Sequence, residues 1–144
     1  MDRDSTYIYL KRIQRVEDYR EAIRAGCSVL EEQDCIRPSY FNAIMETIGK
    51  FGTYFYLGKG ICLPHAEPKE NVCGPGICFV LLDTPTDFLG HPTRAFIVLA
   101  APDASAHQEM LRRIAALCMS EAGRKALLAA QKEEDILRAM ESVA

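Results

Sequence analysis

Two histidines in this 144-residue chain stand where an imidazole could do chemistry. His65 closes the run Gly60-Ile61-Cys62-Leu63-Pro64-His65-Ala66, whose apolar stretch reads as the end of a buried strand. Pro64 has no N–H to give a ladder and biases Leu63 toward extended backbone. The run should therefore deliver His65 to a loop, with its ring near solvent. Imidazole is the one side chain whose unperturbed titration lies near neutrality, so such a ring can act as a nucleophile toward a large partner. His107 lies downstream, at the first turn of a segment with helical spacing. With Ser105 as N-cap it would occupy the second helical position, where unpaired amides and the positive end of the helix dipole favour an anion. The chemistry that fits the pair is acceptance of a phosphoryl group on His65, with His107 steadying the oxygens and Lys59 or Lys69, near in sequence, as further cation candidates whose plainer reading is solvated surface. Each histidine also has a plainer reading, His65 as a hydrogen-bonded loop residue and His107 as a solvated one.

Other candidates are weaker. His91, between Gly90 and Pro92, decorates a turn. No Gly-x-Ser-x-Gly elbow is present, and the glycines at 58–60 and 74–76 match neither a P-loop nor a dinucleotide fingerprint. The acidic pairs Glu31-Glu32 and Glu133-Glu134 read as solvated helix faces. Six cysteines (Cys27, Cys35, Cys62, Cys73, Cys78 and Cys118) are scattered through apolar stretches and read as buried thiols. A zinc site from Cys62, His65, Cys73 and Cys78 is the sharper alternative, but its spacing fits no common structural pattern.

The elements that must position the histidines follow from periodicity. Tyr7–Leu10 is a short strand candidate. Val16, Tyr19, Ala22, Ile23, Val29 and Leu30 recur at helical spacing. Pro38 suits the first turn of a second helix, with Tyr40, Phe41, Ile44, Met45 and Ile48 as its stripe and Gly49 or Gly52 as its stop. Thr53–Leu57, Gly60–Leu63, Ile77–Leu82 and Ala95–Ala100 then read as strands between Gly- and Pro-rich turns. The last two are nearly continuous in apolarity, as strands covered on both faces are. After Pro102 three helical segments follow: one opened by a Ser105/Gln108 capping box, then about Glu121–Ala130 and Glu133–Ser142. The expected architecture is α/β: one domain over residues 1–144, with a mixed central sheet of about four to five strands and helices on both faces.

Composition sets limits. The net charge of −3 and pI near 5.6 argue against nucleic-acid binding. No apolar run approaches the ~20 residues that span a bilayer. Met1-Asp2-Arg3-Asp4-Ser5 lacks a signal-peptide layout, so a cytoplasmic location is expected.

The stretch from Lys50 to Pro68, centred on Leu63-Pro64-His65-Ala66, resembles the active-site segment of enzyme IIA components of the sugar phosphotransferase system (PTS). Within the mannitol/fructose superfamily it is most similar to the ascorbate-type branch. The similarity continues through Ala101–Leu111 with its His107-Gln108, and reaches Glu133-Glu134-Asp135-Ile136. Tyr19–Ile23 and Pro38-Ser39-Tyr40-Phe41 with Ala43-Ile44-Met45 also agree. The resemblance implies that His65 accepts a phosphoryl group from the histidine-containing carrier HPr and passes it to a cysteine of an enzyme IIB. His107 would support the group without carrying it, and the membrane enzyme IIC would be an indirect associate. No cofactor or metal is implied. Glu67 stands where the branch commonly has Arg, Thr53 where it has Pro, and Cys62 where it has Ala. The Glu67 change opens a second expectation, a regulatory IIA-like protein that binds a partner without efficient transfer.

Overall fold

Strict alternation in two long strands organises the molecule. In the computed structural model, which describes residues 7–67 and 71–143, β4 (Gly76–Phe88) and β5 (His91–Ala100) form an antiparallel pair. Ile77, Phe79 and Leu81 of β4, with Ala95, Ile97 and Leu99 of β5, face one apolar cluster. Cys78, Val80 and Leu82, with Phe96, Val98 and Ala100, face another. Such strands need cover on both faces.

The other strands flank this pair. β1 (Ile8–Ile13) runs parallel to β4 at one edge. On the other side β3 (Ile61–Cys62) runs parallel to β5, and β2 (Tyr56–Gly58) pairs antiparallel with β3. The order is β1-β4-β5-β3-β2, a mixed five-stranded sheet. Helices α1 (Tyr19–Glu32) and α2 (Ser39–Phe51) cover one face. Helices α3 (Ala104–Met119), α4 (Glu121–Ala129) and α5 (Glu133–Ser142) cover the other. This is the α/β arrangement expected from the sequence.

Local chemistry explains how the helices start and approach. The Asp18 carboxylate accepts the Glu21 N–H at 3.1 Å and opens α1. Gly26 lets α1 lie close to the sheet, because a Cβ there would sit 2.6 Å from Cγ2 of Val98. The end of α2 is set by Gly52, whose φ of +61° is natural only for glycine.

Three expectations are corrected. Thr53–Leu57 is not one strand: Gly52–Phe55 is a 3₁₀ helix, and only Tyr56–Gly58 enters the sheet. The turn at 90–92 is tighter than expected, since His91 and Pro92 already belong to β5, opposite Phe88 and Asp87. Finally, α3 is capped by the Asp103 carboxylate, which takes the Ala106 N–H at 2.8 Å, and not by Ser105. Both residue types cap helices well, and it is Asp103 that holds the extended backbone an N-cap needs. The N-terminal Met1–Ser5 segment and Lys69 lie outside the described residues.

Candidate functional site

The site lies where β3 ends beside β5. Leu63 gives its N–H to the Phe55 carbonyl at 2.8 Å, and Leu99 of β5 gives its N–H to the Pro64 carbonyl at 3.1 Å. The second bond belongs to an isolated parallel bridge between His65 and Leu99, three residues past the end of β3. The chain then leaves the sheet, and the His65 ring is half-buried on the floor of a cleft of about 460 Å³. Phe55, almost wholly buried, packs against that ring at a centroid distance of 4.9 Å. Tyr54 stands above at 6.2 Å and, with Phe51, forms an exposed aromatic rim.

His107 comes from the opposite wall. Its ring centroid is 5.2 Å from that of His65, so the fold brings the two together across 42 positions of sequence. With Asp103 as cap, His107 is the fourth residue of α3 and not the second. Its backbone N–H is already bonded to the Asp103 carbonyl at 3.0 Å. Asp103 takes the N–H groups of both Ala106 and His107, so those two amides are not open to an anion, and its carboxylate adds negative charge at that end. The helix also offers the His107 ring, whose buried Nδ1 has no hydrogen-bond partner among the described residues, and the Gln108 side chain at the cleft wall.

The local hydrogen bond of His65 fixes its chemistry. Nδ1 lies 2.7 Å from the Leu63 carbonyl oxygen, which can only accept, so the ring proton belongs on Nδ1. Nε2 keeps its lone pair. Burial lowers the pKa of His65 below the ordinary value, opposed by the Leu63 carbonyl and reinforced by His107. Burial lowers that of His107 as well. Both rings are neutral near neutrality, one presenting a nucleophilic nitrogen and the other able to donate a hydrogen bond.

Other sequence candidates lie elsewhere. His91 stacks on Tyr56 at 4.3 Å, away from the cleft lining. Lys59 sits in the turn between β2 and β3 and does not line the cleft. Five cysteines are buried, but Cys73 is exposed, against the expectation of six buried thiols. Burial pushes the thiols of Cys27, Cys78 and Cys118 up to about 12. Among the described residues no three His, Cys, Asp or Glu side chains are grouped to hold a metal ion. Sequence reasoning missed the contribution of Tyr40, Phe55 and Gln108. The stripe of α2 marked Tyr40 only as a core residue, and Gln108 was read as a cap.

Comparison with known proteins agrees with this layout. The family described as "Phosphoenolpyruvate-dependent sugar phosphotransferase system, EIIA 2" matches residues 6–143, and the chain belongs to that family. The ascorbate-specific PTS system EIIA component of Escherichia coli K12 is 33% identical over 125 residues, covering 84% of this chain and 81% of the relative, which places the chain in the ascorbate-type branch. The solution structure of the mannitol-specific cryptic enzyme IIA CmtB from E. coli superposes with a TM-score of 0.77 at 26% identity, covering 96% of this chain and 93% of that one. The fold is also shared, at 20% identity and a TM-score of 0.78, with the enzyme IIA in a complex of mannitol IIA and phosphorylated IIB from E. coli. That match covers 99% of this chain and 97% of that one. Among the described residues no helix is long and apolar enough to cross a membrane.

Proposed function

We propose that this protein is a phosphoryl carrier in sugar uptake, loaded on Nε2 of His65. The observation that carries the reading is a neutral imidazole with its Nδ1 tied to Leu63, open to a cleft and faced by a second neutral imidazole. In the loading step Nε2 attacks phosphorus on the phosphohistidine of HPr. An N–P bond forms at His65 as the donor's N–P bond breaks, and the donor imidazole leaves with the electron pair. In the unloading step a cysteine thiolate of an enzyme IIB attacks the same phosphorus, forming S–P as the His65 N–P bond breaks. Donor and product of the first step are alike in kind, so it runs near equilibrium and asks mainly for in-line positioning and dispersal of charge. His107 supplies a hydrogen bond to a phosphoryl oxygen, and burial of both rings strengthens it.

An IIB partner is supported by family membership and by the IIA–IIB complex of the mannitol proteins. The exposed Phe51 and Tyr54 beside the cleft suit a transient encounter. We place the protein in the cytoplasm as one domain, with enzyme IIC reached only through IIB. Ascorbate is the branch-level substrate, since an IIA meets proteins and not the sugar.

Intact mass after incubation with phosphoenolpyruvate, enzyme I and HPr tests the reading. Wild type should gain one phosphoryl group and His65→Ala none; equal labelling of both would overturn it. Glu67, exposed at the cleft, favours one second reading, a regulatory IIA-like protein. In that case the label enters and does not leave to any IIB.

A further inference from the structure

Tyr40 does more than fill the core. It is fully buried in the first turn of α2, and its hydroxyl reaches between two segments distant in sequence. The O–H donates to the Leu99 carbonyl of β5 at 2.6 Å, while the same oxygen accepts the Ala66 N–H at 2.9 Å. The Ala66 carbonyl is further off, at 3.3 Å. Leu99 also holds Pro64 through its N–H. Residues 64 and 66, on either side of His65, are therefore both referred to one residue of β5, the second of them through a phenol.

From this geometry we infer that Tyr40 is a positioning residue for transfer at His65: its hydroxyl fixes where the chain leaves the sheet and so aims the His65 ring at His107. The inference rests on the phosphoryl-carrier reading, but its physical core does not. Backbone pinned on both sides of His65 fixes the direction in which its Cβ leaves the chain, and from that direction only some rotamers let Nδ1 reach the Leu63 carbonyl two residues back. Without the phenol, the Ala66 N–H and the Leu99 carbonyl would lose their shared partner at a buried place. The chain around residue 66 could then drift away from β5, and misplacement by about 1 Å is enough to slow an in-line transfer severely.

Tyr40→Phe keeps the ring and removes only the hydroxyl. The expected result is a folded protein that is still phosphorylated at His65. Its maximal transfer rate should fall by about tenfold or more, with little change in the HPr concentration needed for half-saturation. Nitrogen-15 spectra of the His65 ring should show a single Nδ1–H tautomer in wild type and a mixture in the variant. Ile44→Val, a core change in the same helix, should lower stability and leave both readouts as in wild type. A measurement on wild type alone is the second arm: the Ala66 amide should exchange slowly, like a bonded strand amide. Wild-type rates with a wild-type ring spectrum in Tyr40→Phe, or an Ala66 amide exchanging like a free loop amide, would overturn the inference. Failure of wild type to take up phosphate would count against the carrier reading instead, while the ring spectrum and amide exchange of the unphosphorylated protein still decide the part played by Tyr40.

Discussion

Nδ1 of His65 lies 2.7 Å from the carbonyl oxygen of Leu63, two residues earlier in the same chain. That contact decides which nitrogen keeps its lone pair, and on the proposed reading it leaves one defined atom to act as the nucleophile. His65→Gln should therefore reduce phosphoryl uptake by more than about a thousandfold, since the reacting atom itself is gone. Acid-labile label counted after reaction with phospho-HPr checks this, and thermal unfolding should show the variant still folded.

On the proposed reading His107 acts on the oxygens and not as carrier, so its loss should slow transfer without moving the label. His107→Ala is expected to lower the loading rate by about a hundredfold, the scale of losing one well-placed donor to a developing charge. His107→Gln, which keeps a donor, should recover part of it. Peptide mapping should still find the phosphate on His65.

Both histidines have pKa values lowered from the ordinary 6.5, chiefly by burial. A histidine whose folded pKa lies below its unfolded one binds more protons when unfolded. Its contribution to stability is present above about pH 6.5 and is lost as pH falls from there toward the folded values. Urea midpoints should be flat from pH 8 to 7 and decline below 6.5, and the double variant His65→Gln/His107→Gln should decline less. The loading rate should hold steady over the same upper range, because Nε2 stays unprotonated there.

Much of the architecture could be read from residue order because its causes are local. The near-continuous apolarity of Ile77–Leu82 and Ala95–Ala100 announced two central strands covered on both sides, and helical stripes announced the covers. The hairpin beyond Leu82 was hidden because the apolar run stops there at the polar Asp83-Thr84-Pro85-Thr86-Asp87, although Thr86 and Asp87 pair with the start of β5. Tyr54 and Phe55 look like strand residues by type, but their rings are used beside His65. The partners of the Tyr40 hydroxyl stand 26 and 59 positions away, a distance no periodicity reports. The histidine pair was visible as two motifs. Their 5.2 Å separation was not, because it depends on how α3 packs on the sheet.

The approach of α1 to the sheet gives a prediction independent of the site. An Ala at Gly26 would gain about 1 kcal/mol of helix propensity, but its Cβ would meet Val98 at 2.6 Å and Val80 at 3.1 Å. Those methyls lie under a close-packed layer and have little room to move, so overpacking should win. Gly26→Ala is expected to destabilise by about 1–3 kcal/mol in urea titration, with loading per folded molecule unchanged.

Glu67 puts a carboxylate at the cleft that, on the proposed reading, receives a phosphoryl group, two residues after His65. A unit charge about 8 Å from a dianion in water costs about 1 kcal/mol, close to fivefold in a rate or an equilibrium. Such an exposed interaction fades once added salt shortens the Debye length to about 3 Å at 1 M. Glu67→Gln should therefore speed loading by about fivefold at low ionic strength, and the gain should shrink toward nothing at 1 M salt. The opposite sign would have a definite meaning. If loading slows in Glu67→Gln and the loss also vanishes with salt, the carboxylate attracts a basic group on the donor. Glu67 would then be a determinant of partner choice and not a brake on the chemistry.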